Sequence, residues 1–398
     1  MDKKNKILYI VLGVVAVVII ATVISLVFLT KEITPDTKEK NADELFAEGK
    51  YAEAIVLYQK KIGDGEDVTY SLYKIAQAYS NLKDADSELI YYYRVLDADD
   101  EAEVLGEETL KTIYGKIAKY YLESHNYKAA SELLQTADEI YAGIYDEYAG
   151  DYSVLASVDS YYRLNTDGDI IYFGQYPSSL VVNEALKAYL DTITPDEDVV
   201  TAYGRRFAKS QGGEYYEYEP VAWKIYEDNE DNYLVISEQI LDTVVYNETI
   251  ELTVWNTSYL REWLNSYFYD TAFSEEEKSH MRKTTVLPSY SYIYGFTTGE
   301  QVDDDVCVFR GDIFYDIASV SYNTKDMKDL TMSKATEYSI SKGIYTDAEG
   351  YGKWWLCSSG DYAHTTAMGV GSNGNVAPNG YLVNDSSVGV RPVITIVK

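Results

Sequence analysis

The chain has 398 residues, too many for one ordinary domain and suited to two or three. Its 65 acidic side chains outnumber 34 basic ones, and the net charge of −31 repels phosphate backbones and argues against nucleic-acid binding. Tyrosine is abundant, 42 residues against 9 phenylalanines, and supplies rigid contact area with a polar tip, suited to binding surfaces and half-buried sheets.

The first predicted element is an apolar run. Residues Ile7 to Thr30 carry no charged side chain. As a helix the run covers about 35 Å, against a bilayer core of roughly 30 Å. Lys3, Lys4 and Lys6 precede it, so the positive-inside rule makes residues 1–6 a cytoplasmic tail, 7–30 a transmembrane helix and the rest extracellular. The run is long for a cleaved signal peptide, has no evident small-x-small cleavage site, and is followed by no lipoprotein-type cysteine. The sequence therefore predicts a single-pass protein of the cell membrane, its partner on that side being the bilayer itself. Residues 31–40 are polar, contain one proline and read as a tether.

From Asn41 the pattern turns helical. Tyr51, Ala54 and Tyr58 recur 34 positions later as Ala85, Glu88 and Tyr92, and again after a further 42 as Tyr127, Ala130 and Leu134. The eight extra residues fit the acidic stretch Asp97 to Glu108. Ala76/Tyr79 and Ala118/Tyr121 occupy matching places in the preceding helices. This spacing resembles tetratricopeptide repeats over residues 41–164, with 140–164 closing the stack. The resemblance implies a stalk or an arm whose concave side binds a protein partner.

The character changes to β at the turn 165–169. Ile170 to Tyr176 reads as a strand, Asn183 to Ile193 as a short amphipathic helix, and Glu219 to Tyr226 with Tyr233 to Ser237 as a strand pair. Thr257 or Ser258 caps a helix whose Leu260, Trp263, Leu264, Tyr267 and Phe268 line one face. Two cysteines, Cys307 and Cys357, sit in apolar strand-like runs and are compatible with either a disulfide or two buried thiols. The end of the chain, from Trp354, alternates short strands with Asn373-Gly374 and Asn379-Gly380, both signals for tight hairpin turns.

Trp354-Trp355-Leu356, a Gly/Asn-rich loop and the closing Gly389-Val390-Arg391-Pro392 resemble an uncharacterised bacterial surface domain related to the formylglycine-generating-enzyme (sulfatase-modifying-factor) fold, itself a C-type-lectin variant. Phe173-Gly174-Gln175-Tyr176-Pro177, Glu219-Pro220-Val221-Ala222-Trp223, Trp255-Asn256, Leu260 to Asn265 and Tyr269 to Ser274 extend the likeness over 169–398. It implies a compact α+β lectin-like domain whose ends meet in one sheet, displayed on a bacterial surface, with ligands bound by the terminal loops. The family commonly has Arg where Cys357 stands and a Leu-rich strand where Val306 to Arg310 lies. Both departures introduce cysteine, which favours pairing of Cys307 with Cys357 in a local disulfide.

Formylglycine-generating enzymes oxidise thiols with a close cysteine pair that holds copper. Here the pair is fifty positions apart, so the activity does not transfer, and no catalytic residue is assigned. His125 and His280 fall in helical surroundings, whereas His364 lies in the terminal loop near Cys357 and Asp361. No zinc-protease, phosphate-loop or EF-hand signature occurs. Oxygen-bearing Asp361, Asn379, Asn384 and Asp385 are the candidates for Ca²⁺, although the lectin calcium motifs are only echoed, in Ala377-Pro378-Asn379 and Val383-Asn384-Asp385.

The leading expectation is a non-enzymatic, membrane-anchored extracellular binding protein whose lectin-like domain recognises an envelope glycan or a surface protein. Its ligand-binding residues would be Asp361, Tyr362, His364, Asn373, Asn375, Asn379, Tyr381, Asn384 and Asp385, with Tyr stacking and Asn and Asp hydrogen-bonding. Two alternatives stand beside it: an exported thiol or copper-dependent oxidase, and an assembly scaffold acting through the helical repeats.

Overall fold

A computed structural model describes residues 40–99, 103–151, 163–164, 168–196, 198–251, 253–291, 296–311, 325–360 and 365–398. These form two compact units, one built from residues up to 158 together with 181–215, the other from 159–180 together with 216–398.

The expected transmembrane helix at 7–30 lies outside the described residues, and among the described residues no helix is long and apolar enough to cross a membrane. The longest described helix, Glu107–Glu123, has 17 residues and carries Glu107, Glu108, Lys111, Lys116, Lys119 and Glu123 around it. The expectation is corrected accordingly. The described residues form a helical N-terminal region followed by a β-rich C-terminal region, and none of their helices is long and apolar enough to cross a membrane. The membrane anchor, the bilayer partner and the single-pass extracellular placement are withdrawn with it.

In the first unit, helices α1 (Ala42–Ala47), α2 (Tyr51–Asp64), α3 (Val68–Leu82), α4 (Ala85–Ala98), α5 (Glu107–Glu123), α6 (Tyr127–Ile140) and α7 (Ile144–Asp151) pack against their chain neighbours. Asn41 and Glu44 make a reciprocal capping box at the start of α1, and Asp84 and Asn126 accept from the Ser87 and Ala129 amides to start α4 and α6. Of the nine positions that set the repeat, Ala54, Tyr58, Tyr92, Ala130 and Leu134 are 1 % exposed or less, whereas Tyr51, Glu88 and Tyr127 are half-buried and Ala85 is exposed. In the acidic stretch, the Asp99 carboxylate accepts from the Val104 and Leu105 amides at 3.0 and 2.8 Å and so shapes the turn into α5.

The excursion 181–215 belongs to this helical unit rather than to the β-rich one in which the sequence reading placed it. It consists of α8 (Glu184–Leu190), capped by Asn183, and a hairpin of strands Val199–Ala202 and Arg205–Lys209. Its Leu186, Leu190, Val200, Phe207 and Tyr215 enter the same apolar core as the helices. Each fully buried side chain of this size stabilises by about 1.5–3 kcal/mol.

The second unit is built on two sheets. The larger orders its strands 163–164, 170–180, 215–228, 232–237, 393–397 and 281–282, all antiparallel, so the terminal strand lies in the same sheet as the unit's opening one. The smaller orders 376–382, 366–370, 354–359, 389–390 and 242–243. Trp354, Trp355, Leu356 and Cys357 are all buried, so the 354–359 strand is covered on both faces. Trp223, Tyr176, Tyr246 and Phe268 complete the core, and Ser258 caps the helical stretch that begins at Tyr259.

Arg391 is buried with them at 1 % exposure; it donates to the Ser237 and Leu330 carbonyls and lies over the Trp354 ring. Cys307 and Cys357 are free thiols, which corrects the expected disulfide. The backbone register explains why: Cys307 exchanges hydrogen bonds with Val393, whereas the Cys357 amide bonds to the Phe309 carbonyl. Each cysteine thus faces another residue across its ladder.

Candidate ligand-binding groove

Strands 366–370 and 376–382 form a hairpin in the smaller sheet, closed at Asn373-Gly374. Gly374 adopts φ +76°, the Gly371 amide bonds to Asn375, and the Asn373 side-chain oxygen accepts from the Asn375 amide at 3.0 Å. This turn is the one the Asn-Gly signal predicts. The second signal, Asn379-Gly380, is not a turn. It falls inside the 376–382 strand, where the pairing shifts between Ala367↔Tyr381 and Gly369↔Ala377, so extra residues bulge outward. Gly380 is required there: it has φ +78°, and a Cβ would stand 2.4 Å from the Ala367 carbonyl oxygen.

The bulge sets the direction of Tyr381. Its ring meets Trp355 edge-on, with centroids 6.1 Å apart, and covers Gly369, where a Cβ would come within 2.7 Å of the ring. Trp355 is held in turn by its indole N–H donating to the Val244 carbonyl at 2.9 Å. Beside Tyr381 lies a groove of about 460 Å³ lined by Tyr345, Lys353, Asn373, Asn375, Val376, Tyr381 and the small residues 371, 372 and 377. Tyr345 is 53 % exposed.

Lys353 is the polar centre. Its ammonium lies 4.9 Å from the Tyr381 ring centroid and 5.8 Å from that of Tyr345. It is paired at 2.8 Å with Asp385, whose other oxygen accepts from the Ser387 amide and hydroxyl at 2.9 and 2.6 Å. Burial opposes ionisation of Asp385, yet Lys353 and Ser387 together hold its carboxyl below the usual value. Burial, with the Asp385 charge, pushes the Tyr381 phenol up.

Of the sequence-predicted residues, Asn373, Asn375 and Tyr381 line this groove and Asp385 anchors its lysine. Asn379 and Asn384 are exposed and do not line it. Asp361, Tyr362 and His364 lie outside the described residues. Among the described residues no group of three or more His, Cys, Asp or Glu side chains is placed to hold a metal, and the Asp385 oxygens offered for Ca²⁺ are already occupied by Lys353 and Ser387. Sequence reasoning missed Tyr345 and Lys353. They stand on the approach to the Trp354-Trp355 strand, and their proximity to Tyr381 depends on strand order.

The family described as Domain of unknown function (DUF6273) matches residues 230–398, which include every residue of the groove. No curated protein and no solved structure matches the chain.

Proposed function

We propose that the chain is a non-enzymatic binding protein and that the Tyr345–Lys353–Tyr381 groove takes a neutral saccharide. A sugar ring presents an apolar face of C–H groups and a rim of hydroxyls. Two tyrosine rings suit the face, and fixed amides and an ion pair suit the rim. The observation that carries the reading is the placement of Lys353 near both rings while it is paired with Asp385. The pair offers donors and acceptors together without net charge, and the chain's −31 disfavours a polyanionic ligand. Neither cysteine lines the groove, so the oxidase alternative draws nothing from it.

The test is calorimetric titration of the full chain with a panel of neutral and acidic oligosaccharides, beside Tyr345→Ala and Asn375→Ala. Saturable binding of a neutral member, weakened at least tenfold in Tyr345→Ala with the circular dichroism unchanged, is expected. If no member binds saturably, or if Tyr345→Ala binds as tightly as the parent, the saccharide reading fails.

A further inference from the structure

The tip of the 199–209 hairpin carries an unusual turn. Ala202 pairs with Arg205, leaving Tyr203 and Gly204 as a two-residue loop. Both have positive φ, 52° and 67°. A two-residue hairpin turn of this kind normally begins with Asn, Asp or Gly, and a bulky tyrosine in that conformation is strained. Strain of this sort persists only where surrounding contacts hold it.

Those contacts come from α4 and α5. The Tyr121 hydroxyl donates to the Tyr203 carbonyl at 3.1 Å and is itself 2.7 Å from the Tyr93 hydroxyl. The Tyr203 ring lies 6.0 Å from Tyr93 and stacks on Tyr189 of the excursion at 4.9 Å. Gly204 fits under the two hydroxyls so closely that a Cβ would stand 2.5 Å from that of Tyr121 and 2.6 Å from that of Tyr93. On either side, Arg205 pairs with Asp86 at 3.1 Å and Asn183 donates to Ser87 at 2.9 Å. Helix residues from Ala42 to Ile144 and excursion residues from Val181 to Tyr215 share one apolar core.

We propose that the α4–α5 face is a recognition cleft for a hairpin tip and that its resident ligand is this chain's own Tyr203-Gly204 turn. The cleft is open to another polypeptide only after the excursion has left it. A helical array acting as a scaffold through this face is therefore closed in the resting chain. The excursion enters and leaves through adjacent strands, since Leu180 and Tyr216 are paired in register and the Val181 amide bonds to the Tyr215 carbonyl, and its strand 205–209 also pairs with strand 215–228, so release must open that pairing too.

Two experiments test this. Trypsin acting on the native full chain should cut at Arg205 and Arg206 at least tenfold faster in Gly204→Ala than in the parent, and several-fold faster in Tyr121→Phe, which leaves the hairpin sequence untouched. Equal rates in all three would overturn docking of the tip. In the second, residues 182–214 of the full chain are replaced by Asn-Gly and a synthetic 181–215 segment is added. Saturable binding, at least tenfold weaker for the segment carrying Gly204→Ala, is expected. Absence of binding by a chain that keeps its helical dichroism would overturn the proposal. Loss of that dichroism on excision would overturn it as well, because the excursion would then be a piece of the core and not its ligand.

Discussion

Tyr176 donates its hydroxyl at 2.7 Å to Asp242, a carboxylate that is completely buried. The second oxygen of Asp242 is paired with Lys342 at 2.8 Å, and the lysine lies over the Tyr338 ring. A buried carboxylate that loses its counter-charge is costly, whereas the lysine side chain, 37 % exposed, can return to water. Lys342→Ala is expected to cost about 2–3 kcal/mol, and Asp242→Asn made on top of it is expected to cost much less than Asp242→Asn alone. Urea unfolding of the four proteins gives the coupling. Additive losses would mean that the pair is not an energetic unit.

High pH should unfold the chain abruptly. Burial pushes the phenols of Tyr176 and Tyr246 well above their ordinary value, with charge from Asp242 and Cys357 adding to each, and burial with the hydrogen bond Tyr70 donates to Asp43 raises Tyr70 to about 12. Above roughly pH 10 the unfolded chain has released protons that the folded chain keeps, so stability is complete below that pH and falls as pH rises. The two fully buried tyrosines alone make the slope about 3 kcal/mol per pH unit. Phenolate absorbance and far-ultraviolet dichroism should therefore change together. Gradual phenolate appearance with the dichroism intact would contradict the assignment.

Gly380→Ala and Gly343→Ala separate strain from collision. Both glycines have positive φ, 78° and 95°, but a Cβ at 343 meets nothing within 4 Å whereas at 380 it meets the Ala367 backbone at 2.4 Å. Gly343→Ala should cost about 1 kcal/mol. Gly380→Ala should cost about 2–4 kcal/mol and also weaken the groove's ligand, because Tyr381 follows it directly. Equal melting temperatures for the two variants would show that the bulge is not tightly specified.

Both thiols should be inert in the folded chain. Cys307 and Cys357 are 3 % and 1 % exposed, and burial, with the Asp304 charge, pushes the Cys307 thiol up. A thiol reagent should therefore react with neither under native conditions and with both in denaturant, without a reductant. A requirement for reductant would reveal a disulfide.

The helical unit was legible because small and aromatic residues recur in it, after 34 positions and then after 42, and Ala54, Tyr58, Ala130 and Leu134 among them are buried. The excursion was not, because α8 and two short strands carry too few residues to show which core they enter. Asn379-Gly380 was misread because positive φ serves a bulge as well as a turn, and residue type alone does not distinguish them. Three of the nine lining residues, Asn373, Asn375 and Tyr381, followed from the polar, turn-rich hairpin. Tyr345 and Lys353 did not, since they meet Tyr381 only through the order of strands in the smaller sheet.

The hydrogen bond from Tyr121 to Tyr203 closes a loop of 82 residues, and that from Asn183 to Ser87 one of 96. A growing polypeptide therefore makes α4 and α5 long before it makes what covers them. At about 5–20 residues per second, their shared tyrosine face waits roughly 4–16 s for the tip that fills it. During that interval the surface is open to contact with a chaperone or with a neighbouring nascent copy.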